Sequence, residues 1–331
     1  MSSKVLAICG GIGGAKLALG LAQILSPNEL TILVNTGDDF EHLGFHISPD
    51  LDTVMYTLAG VNNKDLGWGL EGESWNILSA LEKLGGETWF RLGDKDIATH
   101  IHRTNLLKSG QTLTDATHAL ATKLGVQHPL LPMSDNPVRT IVATADGEMA
   151  FQHYFVREHC SPTVTGFRFD GITQASVNEE ATRLLTDPEL KGIIICPSNP
   201  FVSIDPIISL PGFRAALKAC GAPIVAVSPI VGGMAIKGPT AKMMHELSIP
   251  STPMAVIDHY NGLLDGFVFD ITDECLESDL NTYRLPLLKT NTVMHSLEDK
   301  ISLAQEVINF LDKVTLIKLQ HNEFKTLTED V

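Results

Sequence analysis

Four glycines and a lysine near the start of the chain have the spacing of an anion-binding turn. They are Gly10, Gly11, Gly13, Gly14 and Lys16. Glycine lets the backbone approach a phosphate closely, and free N–H groups at a helix N-terminus point at the anion. The apolar run 5–8 is typical of a buried parallel strand, and the pattern of 17–24 suits a helix. The stretch therefore predicts a strand, a phosphate-binding turn and a helix.

This turn matches known nucleotide-binding patterns only in part. Gly11, Gly13 and Lys16 form G-x-G-x-x-K, which is not the full dinucleotide fingerprint, and the P-loop pattern G-x-x-x-x-G-K is absent. The alternative is a tight turn without a ligand. We favour a phosphate or diphosphate site, because four clustered glycines cost backbone entropy on folding, and ligand binding would explain why they are there.

Two pairs of carboxylates follow the second predicted strand, 30–35. Asp38 and Asp39 come directly after it, and Asp50 and Asp52 precede a helical stretch at 54–59. Ligands of open α/β sheets bind beyond the carboxyl ends of the strands, so these acids are expected at the edge of a site. The alternatives are a solvated turn for the first pair and a helix N-cap for Asp50 or Asp52.

Polar loops end two further predicted strands. The run 193–196 stops at a loop with Ser198 and Asn199, and the run 223–227 stops at Ser228. With the glycine turn, a strand ends in a Ser/Pro/Gly loop three times. This repetition is more informative than any one loop, and it predicts that the loops meet in one pocket.

The remaining elements must position these loops. Helices are expected at 74–84, 112–124, 178–185, 213–220 and 296–314, strands at 255–258 and 266–270, and a turn cluster at 131–137. Segments 140–144 and 148–156 alternate around Asp146-Gly147, which predicts a hairpin that 166–170 extends. The fold class is therefore α/β with an inserted, smaller α+β subdomain. We expect one catalytic domain at 1–315, the insert at about 60–175, and a polar tail at 316–331.

The amino-acid composition limits the classes of binding partner that we expect for this protein. The chain of 331 residues has 24 Lys and Arg against 39 Asp and Glu, a net charge of −15, which disfavours nucleic acid and anionic membrane surfaces. The five cysteines form no C-x-x-C pair, which is typical of reduced thiols. The first predicted strand begins almost at once, so we expect no signal peptide. No apolar run reaches the length of a membrane span. We expect a cytoplasmic protein with reduced thiols. His100 and His102 would diverge on a helix, so we expect no metal site there.

The ordered motifs resemble a known family, the 2-phospho-L-lactate transferases (CofD family) of deazaflavin coenzyme biosynthesis. The likeness covers about residues 4–275, and the matching segments are 10–16, 35–39, 48–53, 92–96, 98–100, 131–137, 151–152, 197–200 and 228–239. It implies a Rossmann-like, mostly parallel sheet flanked by helices, Mg²⁺ dependence and a homodimer. It also implies a reaction. The ribityl hydroxyl of FO, a hydroxylated deazariboflavin, attacks the phosphorus next to lactate in lactyl-diphospho-guanosine, and GMP leaves. In related bacterial enzymes the donor carries phosphoenolpyruvate.

The resemblance also implies roles for residues. By this likeness Asp52 and Arg91 match the FO-binding positions. The chemistry of phosphoryl transfer suggests the other roles: Asp52 or Asp50 orients or deprotonates the hydroxyl, and Mg²⁺ lies at Asp38, Asp39 and Asp50. It also suggests a diphosphate site at Gly10, Gly11, Gly13, Gly14 and Lys16, and guanine or lactyl contacts at Ser198, Asn199 and Ser228.

Two other functions stay open at this point. A related Gly-rich family contains non-catalytic nucleotide-sugar-binding regulators, but the segments 48–53 and 92–100, with their set of acids, favour an enzyme. An NAD(P) dehydrogenase is disfavoured by the incomplete fingerprint. The sequence leaves the three-carbon acid of the donor undecided.

Overall fold

The computed structural model describes residues 3–235, 238–273, 283 and 285–329, with side chains up to residue 320. The strands, in chain order, are β1 (Lys4–Cys9), β2 (Leu30–Val34), β3 (Phe40–His42), β4 (Phe45–Ile47), β5 (Leu130–Pro132), β6 (Arg139–Thr144), β7 (Gly147–Ala150), β8 (Val164–Asp170), β9 (Leu190–Ile195), β10 (Ile224–Val227), β11 (Ile230–Val231), β12 (Met234–Ala235), β13 (Gly266–Asp270) and β14 (Leu287–Thr290).

The helices are numbered in the same way. They are α1 (Gly11–Ile24), α2 (Pro49–Ala59), α3 (Asn76–Lys83), α4 (Asp94–Lys108), α5 (Leu113–Lys123), α6 (Glu179–Leu185), α7 (Asp205–Ile208), α8 (Phe213–Ala219), α9 (Thr240–Glu246), α10 (Pro253–Tyr260) and α11 (Leu297–Glu329).

A seven-stranded sheet forms the centre of the molecule, in the order β14-β13-β10-β9-β1-β2-β5. Every neighbouring pair in it is parallel. From β1 the chain moves outward through β2 to β5, and it then returns to β9 on the other side of β1. The sheet therefore has its topological switch point between β1 and β9, where α/β folds bind ligands. This arrangement confirms the predicted Rossmann-like α/β fold.

The apolar strands pack against helices on both faces. Alternate residues of a strand point to opposite faces, so Val5 and Ala7 lie in one core with α1, α2, α5 and α11. Leu6 and Ile8 lie in the other core with α6, α7, α8 and α10. Burial on both faces explains why the inner strands read as continuous apolar runs. No helix in the described part of the chain is long and apolar enough to cross a bilayer.

A second, antiparallel sheet of three strands has the order β7-β6-β8. It confirms the predicted hairpin, whose turn uses Gly147 at a φ of +126°. The predicted second strand, 148–156, is too long: β7 ends at Ala150, and His153–Arg157 form a π-helix. The segment 60–175 also returns once to the central sheet, through β5.

Three local predictions differ from the structure. The run 255–258, predicted as a strand, lies in α10, where Thr252 caps the helix by accepting from the Ala255 N–H; a short apolar run does not distinguish strand from helix. The turn cluster 131–137 begins inside β5, an edge strand that tolerates Pro132. The last helix, expected to end near 314, continues to Glu329.

Candidate active site

One cavity of about 580 Å³ opens at the switch point of the central sheet. Its wall combines the glycine turn after β1, the acidic start of α2, the segment before α4, and the loops after β9 and β10. The predicted site residues that line it are Gly10, Gly11, Gly13, Lys16, Asp38, Asp50, Asp52, Arg91, Ser198, Asn199 and Ser228. The glycine turn and the Asp52/Arg91 pair therefore share one cavity of a size that suits small-molecule substrates.

Close packing explains the glycines of the turn. A Cβ on Gly13 would lie 2.3 Å from the Pro197 carbonyl oxygen, and one on Gly14 would lie 2.5 Å from the Ser198 hydroxyl. Gly11 has a φ of +63°, which side chains rarely adopt. The turn thus presses against the loop after β9, and α1 begins at the cavity wall with its N-terminal N–H groups there.

Two buried carboxylates share one amide beside this turn. Asn35, directly after β2, donates to Asp38 Oδ1 over 3.1 Å and to Asp50 Oδ2 over 2.9 Å. The side-chain amide of Gln152 donates to the other oxygen of Asp38 over 3.0 Å. Burial raises the pKa of Asp50 to about 6, although hydrogen bonds from Asn35 and from the Gly11 N–H oppose the rise. Burial and the neighbouring Asp50 charge raise the pKa of Asp38 as well.

These two acids are candidate ligands for a cation. Burial and the charges of neighbouring acids raise the pKa of both Asp38 and Asp50, so a nearby cation would stabilise their charged forms. Among the described residues, no three His, Cys, Asp or Glu side chains are grouped so as to hold a metal by themselves. Mg²⁺ typically takes one or two carboxylates together with phosphate oxygens of a substrate. The Asp38 and Asp50 carboxylates fit that mode.

Asp39 does not line the cavity. Its Oδ2 accepts from the Ser48 hydroxyl over 2.7 Å and contacts His46 Nε2 at 3.0 Å. Ser48 is the N-cap residue of α2. The structure thus places Asp39, which the sequence assigns to Mg²⁺, where it fixes the start of α2, and it does not bring this side chain to the cavity wall with Asp38 and Asp50.

A second cluster occupies the adjoining wall, between α2 and α4. Arg103 of α4 holds both oxygens of Asp52 with its two terminal nitrogens, and the Nη1–Oδ2 distance is 3.0 Å. His100 lies between two acids, with Nδ1 3.7 Å from Asp52 Oδ2 and Nε2 3.3 Å from Asp96 Oδ1. The Tyr56 hydroxyl donates to Asp96 over 2.7 Å. Asp52 is therefore a firmly oriented carboxylate on the cavity wall.

Aromatic rings surround the cavity beyond this cluster. Trp68, Trp89, Phe90 and Phe155 line it together with Arg91. The Arg91 guanidinium carbon lies 4.4 Å above the centroid of the Trp75 ring. A cation over an aromatic face is stabilised by the ring quadrupole, so Trp75 holds Arg91 in place. The cavity lining thus combines aromatic rings and Arg91 with the backbone N–H groups of the glycine turn and the carboxylates.

Comparison with known families identifies the chain. The family model for 2-phospho-L-lactate transferase CofD matches residues 5–309. The protein belongs to the CofD family.

Curated relatives of this CofD-family protein carry two names. It is 39% identical to a 2-phospho-L-lactate transferase of Methanosarcina acetivorans, over 94% of this chain and 100% of the relative. It is 40% identical to a protein of that name from Methanosarcina mazei, over 90% and 97%. A phosphoenolpyruvate transferase of Streptomyces griseus is 36% identical over 94% and 99%. The chain is therefore a transferase, and nothing in these matches favours a non-catalytic regulator.

A solved structure shares the fold of this CofD-family protein. A member of the UPF0052 family from Bacillus halodurans superimposes with a TM-score of 0.62, over 93% of this chain and 99% of the other, at 13% identity. At that identity the likeness concerns the fold alone.

The predicted polar contacts of the CofD site also make bonds within the protein. The Ser198 hydroxyl accepts from the Gly10 N–H and donates to the Gly10 carbonyl. The Asn199 side-chain oxygen accepts from the N–H groups of Phe201 and Val202, so it caps the π-helix Pro200–Ile204. The Ser228 hydroxyl bonds to the backbone of Ile230. Lys16 Nζ donates to the Met294 carbonyl over 2.8 Å.

The site roles assigned from the sequence leave out four residues of this CofD site. Gln152 and His100 line the cavity, and Asn35 and Arg103 bond to its carboxylates. Three of the groups around Asp52 had a readable signal. Asp96, His100 and Arg103 are spaced i, i+4, i+7 on α4, which places them on one helix face. Gln152 lies in the matching segment 151–152, but the strand predicted at 148–156 gives its side chain no reason to meet Asp38.

Proposed function

We propose that this protein transfers a phospholactyl or phosphoenolpyruvyl group from a guanosine diphosphate-linked donor to the ribityl hydroxyl of FO. The hydroxyl oxygen attacks the phosphorus next to the three-carbon acid, the bond from that phosphorus to the GMP phosphate oxygen breaks, and GMP leaves. The product is a phosphodiester between FO and the three-carbon phospho-acid. One observation carries the proposal: the glycine turn, the Asp38/Asp50 pair and the Asp52/Arg91 pair line one cavity.

The chain supplies positioning and charge, which is what phosphoryl transfer asks of a protein. The N–H groups at the start of α1 and the Lys16 side chain bind the diphosphate. Asp52 accepts a hydrogen bond from the attacking hydroxyl and takes its proton, with Asp50 as the alternative base. Arg91 and the aromatic rings hold the deazaflavin.

Mg²⁺ belongs to the same proposal. Asp38 and Asp50 would hold it, and the ion would neutralise charge on the diphosphate. Its binding is measurable without turnover, by calorimetric titration of Mg²⁺ into protein with GDP present. We expect Asp50→Asn to weaken Mg²⁺ binding at least about tenfold, whereas Asp39→Asn weakens it little.

Product analysis tests the transfer itself. Purified protein is incubated with FO, Mg²⁺ and equal amounts of the lactyl and enolpyruvyl donors, and the products are separated by mass spectrometry. The two products differ by two hydrogens, so one experiment gives both activity and donor preference. Failure to release GMP with either donor would refute the proposal. We also propose that the protein is a homodimer. Size-exclusion chromatography with light scattering tests this, because it measures the molar mass of the eluted protein.

A further inference from the structure

Arg103 is a buried charge that bonds to Asp52, a carboxylate of the cavity wall. Its side chain is 1% exposed, and it is the largest of the fully buried side chains. Among the described residues, no other arginine or lysine is buried. Burial strips a guanidinium of its hydration, so such a group persists only with well-placed partners.

Those partners are mostly acids of the candidate active site. Both terminal nitrogens contact Asp52, and Nη1 also lies 3.4 Å from His100 Nδ1. The Asp52 charge is the main influence that raises the pKa of the guanidinium against desolvation, and Asp39 acts in the same direction. A planar guanidinium that donates to both oxygens, a bidentate contact, fixes the plane of the carboxylate. A single donor would leave the carboxylate free to rotate.

We propose that Arg103 is a positioning residue that acts through Asp52, holding this carboxylate in the orientation that receives the acceptor hydroxyl. The proposal rests on the proposed function, in which Asp52 meets FO. Two carboxylate oxygens offer about four lone pairs, so the fork leaves acceptor capacity on each oxygen. Asp52 lines the cavity, which places that remaining capacity beside the substrate.

Other bonds already join α2 to α4 and its surroundings. Tyr56 of α2 donates to Asp96 of α4, and the His46 N–H donates to the Thr104 hydroxyl over 2.8 Å. These contacts bypass Asp52. The Tyr56–Asp96 bond therefore joins α2 to α4 without the Arg103–Asp52 pair, and the bond from His46 separately attaches α4 to β4. The pair is available to orient a reacting group.

A double-mutant cycle tests the proposal. The variants are Arg103→Met, Asp52→Asn and the two combined, and the measurement is kcat/KM for FO at saturating donor. We expect Arg103→Met to lower kcat/KM about 100-fold, as misplacement of a reacting group does. In the Asp52→Asn background the same change should cost less than about threefold, because the residue that Arg103 positions has lost its charge. FO affinity by fluorescence should fall in parallel, while GDP affinity should not change.

Further variants separate positioning from folding. Arg103→Lys keeps the charge without the fork, and we expect about a tenfold loss with the melting temperature nearly retained; it carries the test if Arg103→Met does not fold. Lys108→Met removes a charge from the exposed end of the same helix and should leave kcat/KM unchanged.

The outcomes distinguish the two proposals. Full activity of Arg103→Lys, or costs that add in the double variant, would overturn the positioning role while leaving the transferase intact. Absence of transfer by the wild-type protein with either donor would instead overturn the proposed function, and the positioning role with it.

Discussion

Ser198 and Gly10 are joined by two hydrogen bonds across the switch point of the sheet. The Ser198 hydroxyl accepts from the Gly10 N–H over 3.1 Å and donates to the Gly10 carbonyl over 2.8 Å. Gly10 follows β1 and Ser198 follows β9, so one side chain ties together the two loops that form the cavity. Ser198 is only 3% exposed, so these two bonds are shielded from water. Ser198 therefore links the two loops in addition to lining the cavity.

Loss of the two Ser198–Gly10 hydrogen bonds should first lower the stability of the protein. We expect Ser198→Ala to lower the free energy of unfolding by about 1–3 kcal/mol, because both backbone groups of Gly10 lose their partner in a buried place. Urea denaturation measures this, with Ser209→Ala at an exposed position as the control. A variant of unchanged stability that had only lost its preference for the guanine donor would show instead that Ser198 reads the substrate.

Gly13 should tolerate no side chain. In Gly13→Ala the new Cβ would lie 2.3 Å from the Pro197 carbonyl oxygen, so backbone must move. We expect a loss of about 1–3 kcal/mol of stability and weaker binding of GDP. Gly166→Ala is the matched control, since its Cβ would meet no described atom within 4 Å; it should be neutral or slightly stabilising. Equal behaviour of the two variants in calorimetry and GDP titration would contradict this account.

The central strands were predictable and the edge strand was not. β1, β2, β9, β10 and β13 are apolar runs, because helices cover both faces of the sheet. β5 has three residues, one of them Pro132, and its existence depends on pairing with β2, a contact between residues about a hundred positions apart. Local patterns carry no information about such a pairing.

The site was predictable at the level of loops. Polar residues at strand ends lie at the cavity because the parallel strands point there. The contacts of single side chains were not predictable. Ser198, Asn199 and Ser228 bond to nearby or facing backbone as well as lining the cavity. Arg103 reaches Asp52 across 51 positions of sequence, so only the packing of α4 on α2 reveals the pair.

Trp75 should affect FO binding through Arg91, which lies over its ring. We expect Trp75→Leu to raise KM for FO about two- to fivefold, the equivalent of an exposed cation–π contact, and to leave KM for the donor unchanged. Trp75→Phe keeps a ring face and should lie between Trp75→Leu and the wild type. Steady-state kinetics with each substrate varied in turn provide the measurement. If the Leu and Phe variants weaken FO binding equally, the ring does not act through Arg91.

Asp94 should give the segment that carries Trp75 a pH-dependent stability. Its carboxylate accepts from the Ser74 hydroxyl and from the Asn76 and Ile77 N–H groups at the start of α3, while Glu73 accepts from the N–H groups of α4. These bonds, chiefly the one from Ser74, lower the pKa of Asp94 to about 2. The pKa of an aspartate in an unfolded chain is about 3.9. The charged form therefore stabilises the fold above about pH 4, and this contribution is lost as the pH falls toward about 2.

The comparison of wild type with Asp94→Asn isolates that contribution. We expect amides of α3 to exchange faster in the variant at pH 5 to 7, since the amide side chain is a weaker acceptor than the carboxylate. The difference should shrink as the pH falls below about 4, where Asp94 begins to protonate in the unfolded state, and should be small near pH 2, where the folded carboxylate protonates as well. Asp146→Asn, in the exposed hairpin turn, controls for the loss of one negative charge. A difference between wild type and Asp94→Asn that grew on acidification would contradict the lowered pKa, because it would require Asp94 to bind its proton more tightly in the folded state than in the unfolded one.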